Sequence, residues 1–441
     1  MNPRVQSLMR GAMLLLLGSA TVAQRFGFGI GEFSITPAFI AIYVVLALAA
    51  WCGVLVISAS RLSLYFGFIV IGVLSVAFNE SRASVPSLLL LAAMYLPFVF
   101  GLKPNALGED SAGFMIDRFL GLSFVCATIG IAQFFAQFAI HGEWLFNFTV
   151  LIPESLRNTG DFNTVIPVGG FYKSNGFLFL EPSGFSLFMG LGLITESVLY
   201  KRPLRLACYA LALLVTYSGT GILALLIGAS YPLGKKTFLR LGAVACAGAL
   251  IYAVFDDALN LSITLSRAAE FNASDPNNNS SGYIRYIAPG RLVSELFTSD
   301  PWSAWVGHGP GTIFKTVRDY YFHDPTWAKL LFEYGGLGFA FALALYVMTL
   351  RHREIPIQLR AMLFWAWLIM GGHLLSPEQN FMTLVLVGLL PLGERAESST
   401  GDEELSLERE GSGVTLPLDR TDAFGAAAGA TPWSRLGGSH G

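Results

Sequence analysis

The chain is 441 residues long, 54% hydrophobic and only 13% charged, with a mean hydropathy of +0.57. An ordinary soluble domain is about 45–50% apolar, so this composition belongs to a polytopic membrane protein. A net charge of −2, with no basic stripe carrying interleaved aromatics, excludes a nucleic-acid partner.

The first apolar run, 13–23, follows Arg4 and Arg10 but lacks a small-x-small cleavage site, so it reads as a retained first span. A span needs about 20 apolar residues. On that measure the segments are 8–24, 37–58, 62–79, 84–102, 115–140, 181–200, 236–254, 328–350, 357–375 and 378–394. Cys52, Cys126, Cys208 and Cys246 all lie in apolar segments, where a thiol packs as a small hydrophobe; neither a disulfide framework nor a zinc site is indicated.

The stretch 203–233 is long for one helix, and Tyr217-Ser218-Gly219-Thr220-Gly221 interrupts it with two glycines that weaken a helix interior. Lys201, Arg202 and Arg205 precede it and Lys235, Lys236 and Arg240 follow it. Both clusters belong on the cytoplasmic side, so an even number of crossings separates them: 203–216 and 221–233. Arg61, Lys103, Arg351 and Arg353 fall on the same side when the N-terminus is cytoplasmic. The expected architecture is an all-α polytopic membrane protein of about twelve transmembrane helices. Residues 1–254 hold the first nine, with an outer loop at 141–180; 255–327 form a large, partly helical periplasmic loop; 328–394 hold the last three. The remainder, 395–441, is rich in Gly, Ser and Glu and reads as a disordered cytoplasmic tail.

Loops as long as 255–327 in a compact protein are functional or disordered. Residues 272–281 are polar and flexible in composition, whereas 283–297 carry apolar residues at helical spacing together with Arg285 and Arg291. Next comes Val306-Gly307-His308-Gly309-Pro310-Gly311, a turn-forming run that lets backbone approach a ligand.

The planar fork of an arginine suits a diphosphate, which makes Arg285 and Arg291 candidates; the plainer alternative is pairing with a loop acid or a lipid headgroup. His323 stands just before a span and can act as a base near neutral pH, or be a solvated histidine at a helix entrance. In 169–183, Lys173 and Glu181 approach the mouth of the next span. A carboxylate there is costly unless paired or wetted, and it equally suits a helix N-terminus. Glu333 and His373, inside later spans, are substrate contacts or packing hydrogen-bonders.

Three segments resemble the O-antigen ligase and Wzy-type polysaccharide polymerase superfamily. They are 171–183, with Gly176 and the Glu181-Pro182 pair; 305–311, a short glycine motif; and 323–338, a histidine before a helix start followed by Glu333-x-Gly335-x-x-Gly338. The resemblance covers roughly residues 30–394, through short, degenerate motifs. It implies a GT-C-like fold, and glycan transfer from a polyprenyl-diphosphate-linked oligosaccharide at the outer face of the inner membrane, without metal or cofactor. Arg285 would then contact the diphosphate and His323 the acceptor hydroxyl. Lys173, Glu181, Arg291, Ser218 and Glu333 would line the substrate site.

Ligases of that superfamily commonly carry an arginine after the serine between the two short spans, and Ser218-Gly219-Thr220 has none. The expectation is therefore a polymerase extending a surface polysaccharide, such as an exopolysaccharide or O-antigen, with a chain-length regulator and other assembly proteins as partners. Its alternatives are a ligase acting on a lipid A-core or protein acceptor, and, in another class, a transporter or flippase for lipid-linked oligosaccharide. Transporters show internal repeats and several charges deep in their spans, and neither is evident.

Overall fold

Apolar stretches too long for strands become helices, and proline and glycine decide where each begins and ends. A computed structural model of the chain describes residues 1–30, 33–140, 142–158, 162–232, parts of 234–254, 283–299, 301–315, 321–370 and 372–391. All belong to one unit, Met1–Leu392; a second unit, Gly393–Gly441, lies outside the described residues, as do the tail and the 272–281 lead-in anticipated from composition.

The described residues are mostly helical. The helices are α1 Pro3–Thr21, α2 Pro37–Trp51, α3 Ala59–Phe78, α4 Val85–Tyr95, α5 Ser111–Ala136, α6 Pro182–Leu199, α7 Pro203–Leu214, α8 Gly219–Ala229, α9 Ala288–Ser299, α10 Pro301–Val306, α11 Thr326–Thr349, α12 Ile357–Ile369 and α13 Pro377–Thr383. Proline occupies the first turn of α1, α2, α4, α6, α7 and α13, where its missing N–H costs nothing. Four helices, α3, α5, α6 and α11, are long and apolar enough to cross a membrane, and α2, α7, α8 and α12 are shorter apolar helices. The outward face of α3 presents Phe66, Val70, Val73 and Phe78, a surface suited to lipid. This is a helical membrane protein. A helix stands at every other segment expected from hydropathy, and in 236–254, only partly described, the described residues are helical too.

Two expected helix ends are extended instead. Strand β3 (Leu55–Ile57) pairs antiparallel with β4 (Phe100–Leu102), Val56 opposite Gly101. Gly53 takes a left-handed turn (φ 66°) that releases the chain from α2, and a short apolar run cannot be told from helix by periodicity. Two further hairpins, β1–β2 (Phe28–Ile30, Phe33–Ile35) and β5–β6 (Pro167–Val168, Phe171–Tyr172), lie between helices. Arg61, expected on the cytoplasmic side, is buried and donates to the carbonyls of Gly388 (2.9 Å) and Phe100 (3.3 Å).

The break in 203–233 is present, for a different reason than two weak glycines. It falls at 215–218, where Tyr217 is left-handed (φ 46°), while Gly219 and Gly221 lie within α8. A Cβ on Gly221 would strike the carbonyl of Ser186, so that glycine permits α8 to press against α6.

In the core, the Tyr346 and Trp367 rings stack at 4.0 Å. Trp367 Nε1 donates to the Tyr95 hydroxyl (2.8 Å), which donates to Leu374 O (3.1 Å), tying α4, α11 and α12 to the turn at 373–375. The glycine run 307–311 packs on the kinked start of α11. Gly335 leaves helical geometry (φ 66°, ψ −173°), and a Cβ on Gly307 or on Gly335 would collide with the backbone of the other segment. His308 N–H donates to Phe332 O (2.9 Å) and Gly309 N–H to Glu333 O (3.1 Å), completing the junction.

Gly335→Ala must both adopt a left-handed backbone and displace residues 305–306; it is expected to cost about 2–4 kcal/mol. The check is a lowered melting midpoint of the purified variant in detergent.

Candidate functional site

A cavity of about 410 Å³ gathers Glu181, Thr220, Arg285 and His323 with a second wall of Gln24, Ser34, Thr36, His373, Glu378 and Gln379. Its position follows from local geometry. Arg285 sits in a π-helical turn, Tyr283–Ile287, that leads into α9. The His323 N–H donates to Ile284 O (3.0 Å), so one backbone bond holds the histidine beside the arginine. Gly372 N–H donates to Asp324 O (3.2 Å), joining that segment to the turn that carries His373.

Arg285 Nη1 donates to Thr220 Oγ1 at 3.4 Å, and no carboxylate pairs with it among the described residues. Glu181 is already engaged: Oε1 accepts from Asn163 N–H (3.0 Å) and Oε2 from Ser183 Oγ (2.8 Å) at the start of α6. Burial holds the His323 imidazole below its ordinary value of 6.5; Arg285 pushes in the same direction, and Asp324 and Glu181 partly oppose. A neutral imidazole beside a guanidinium is a pair able to accept a proton and to bind an anion.

The other residues expected at the site stand elsewhere. Lys173 is buried, its Nζ donating to Tyr217 O (3.1 Å), so it holds the left-handed break between α7 and α8. Ser218 begins α8, its N–H donating to Thr216 Oγ1 (3.2 Å). Arg291 Nη1 donates to the Tyr283 hydroxyl (2.9 Å), bracing the π-helical turn. Glu333 is fully enclosed and accepts from Ile313 N–H (3.3 Å), while its carbonyl accepts from Ser75 Oγ (2.8 Å), so it fastens the 307–313 segment. None of these four lines the cavity.

The region 171–183 is shaped by a buried amide network. Gln133 Nε2 donates to Asn175 Oδ1 (2.8 Å), and Asn175 Nδ2 donates to Phe146 O (2.8 Å) and Thr164 O (2.9 Å).

Sequence reasoning missed Arg25. It is fully buried, donates to Phe146 O (2.9 Å), Phe179 O (2.7 Å) and Asn147 Oδ1 (3.3 Å), and lies over the Phe148 ring at 4.9 Å. Burial lowers its pKa to about 10. With Asn158 bonded to the backbone of Gln24 and Arg25, it staples 146–179 to the end of α1. The Glu196–Arg202 pair (2.6 Å), with its carboxylate buried, was also missed; an acid one turn before a helix end and an arginine just after it were the available signal.

No protein-family model matches the sequence, and no curated protein matches it. Among the described residues no group of three or more His, Cys, Asp or Glu side chains is placed to hold a metal ion.

Because Arg285 lowers the His323 pKa, Arg285→Met is expected to raise it; the wild-type imidazole should titrate below 6.5, read by NMR of isotopically labelled histidine. The unfolded chain takes up this proton at higher pH than the folded one. His323 therefore adds stability as pH rises through the window just below 6.5, and that stability is lost in acid.

Proposed function

We propose that the protein is a membrane glycosyltransferase that polymerises polyprenyl-diphosphate-linked oligosaccharide repeat units into a surface polysaccharide at the periplasmic face of the inner membrane. The observation that carries this reading is Arg285, a cavity arginine without an ion pair among the described residues, held by one backbone bond next to a neutral His323. A guanidinium at the edge of an apolar body is costly unless it meets an acceptor or an anion. A diphosphate supplies that anion and the planar geometry it favours.

The reaction needs little more. The acceptor hydroxyl oxygen attacks the anomeric carbon and the C1–O bond to phosphate breaks. The polyprenyl diphosphate leaves against Arg285, and the hydroxyl proton passes to His323 Nδ1 or Nε2. Configuration inverts in this single displacement. Diphosphate is already a good leaving group, so positioning and charge stabilisation carry most of the acceleration.

The reading includes about twelve spans in a GT-C-like arrangement, with both termini cytoplasmic and the cavity opening outward. Its similarity to the polymerase and ligase superfamily rests on the three short motifs. Two of these, 305–311 and 323–338, pack on each other through Gly307 and Gly335. Polymerase is preferred to ligase because the break before α8 brings Thr220, not a second arginine, to Arg285.

Arg285→Ala is expected to lower transfer by about 10²–10³-fold, and His323→Ala by about 10²–10⁴-fold. Surface polymer should disappear from cells producing either variant while the protein stays inserted and abundant. Polymer of normal amount and length from both would overturn the site assignment.

A further inference from the structure

The cavity holds a second imidazole, His373, which the transfer step leaves unused. It stands in the turn 373–375, just past Gly372, which is left-handed (φ 77°). Asn380 Nδ2 donates to the carbonyls of His373 (2.9 Å) and Leu374 (3.2 Å), and the Tyr95 hydroxyl donates to Leu374 O (3.1 Å). The backbone of the turn is thus held from both α13 and α4. The ring is held as well, by a 2.8 Å bond between Nδ1 and Ala366 O in the last turn of α12. In His323 it is the backbone N–H that is bonded; in His373 it is the ring.

A carbonyl oxygen can only accept, so Nδ1 carries the proton and donates it. A neutral ring then keeps its lone pair on Nε2. That atom has no hydrogen-bond partner among the described residues and is not closed off, since His373 is partly exposed and lines the cavity. The Ala366 carbonyl does not require the ring, because it already accepts from Met370 N–H (3.3 Å). What the ring bond achieves is to define the other nitrogen. Arg285 acts on both imidazoles and disfavours a second positive charge beside it, while Asp324, paired with Lys329 (2.8 Å), opposes. The partner that fits Nε2 is therefore a hydrogen-bond donor without positive charge. A sugar hydroxyl meets both conditions.

We propose that His373 Nε2 accepts a hydrogen bond from a hydroxyl of the acceptor sugar and so holds that sugar in the cavity shared by His323 and Arg285. His373 is a binding group with a preset tautomer, and it takes no proton in the reaction. Its part in turnover rests on the glycosyl-transfer reading, whereas its bond to a sugar hydroxyl is measurable without turnover.

Two substitutions separate the two ring nitrogens. Asn places an amide NH2 where Nδ1 stands, so His373→Asn keeps a donor for Ala366 O and lacks Nε2. Gln places its amide oxygen where Nε2 stands, so His373→Gln keeps an acceptor for the sugar and gives up the bond to Ala366.

Full-length protein in nanodiscs, isotopically labelled at the histidine nitrogens, is titrated with the methyl glycosides of glucose, galactose and mannose. Permethylated methyl glucoside, which has no hydroxyl donor, is the control. The His373 signals are assigned by their absence from His373→Asn. The expected result is an Nδ1–H tautomer at neutral pH, with an Nε2 resonance that moves on adding a free glycoside and stays fixed with the permethylated one. In chain growth from lipid-linked repeat units, His373→Asn should raise KM about tenfold at an unchanged melting midpoint. His373→Gln should melt lower and yet keep a KM below that of His373→Asn.

A proton on Nε2 at neutral pH overturns the proposal, as does wild-type KM in His373→Asn. An Nε2 resonance unmoved by every free glycoside at hundreds of millimolar, in a protein that still extends repeat units, removes the His373 contact alone. Absence of chain growth with the Nε2 response intact removes the transferase reading and leaves a site for a sugar hydroxyl.

Discussion

Backbone pressed against backbone at Gly307 and Gly335 is the contact on which the site depends. It bends α11 at its third turn, and it lets the 307–313 segment run beneath that bend, where Glu333 receives the Ile313 N–H. The short stretch before α11 is then free to reach the π-helical turn, and the single bond from His323 N–H to Ile284 O sets the imidazole next to the guanidinium. Any side chain at either glycine pushes these segments apart. The chemistry is thus positioned by two residues that have none.

Charge in the cavity is mixed. Arg285 has no carboxylate ion-pair partner among the described residues, while Glu181, which lines the same cavity, accepts from Asn163 and Ser183. Glu378 and His373 line the same cavity.

Much of this was legible in the chain. Hydropathy located the helices because length and apolar content are summed over many residues and tolerate local error. Arg285, His323 and Glu181 were recognisable because a charge or an imidazole at a membrane boundary needs a reason to be there. The same logic could not choose among charged side chains. Lys173 and Glu333 hold backbone, the Tyr217 carbonyl and the Ile313 amide, and Arg291 holds the Tyr283 hydroxyl beside the π-helical turn. Residue type announces the cost of burial; only the fold names the partner. Thr36 and Glu378 escaped notice because a threonine before a span and an acid after Pro377 are also ordinary helix-start residues. Their convergence requires α2 and α13 to be neighbours, which no local pattern states.

The central claim is that this one chain joins lipid-linked repeat units without help from a second acceptor. The most direct measurement is incubation of the purified full-length protein, in nanodiscs, with the polyprenyl-diphosphate-linked repeat unit alone. The expected result is a ladder of longer oligosaccharides on the carrier, with one polyprenyl diphosphate released per linkage formed. A repeat unit that stays unextended, and is consumed only after a lipid A-core or protein acceptor is added, would contradict polymerisation; a repeat unit untouched under both conditions would contradict glycosyl transfer itself.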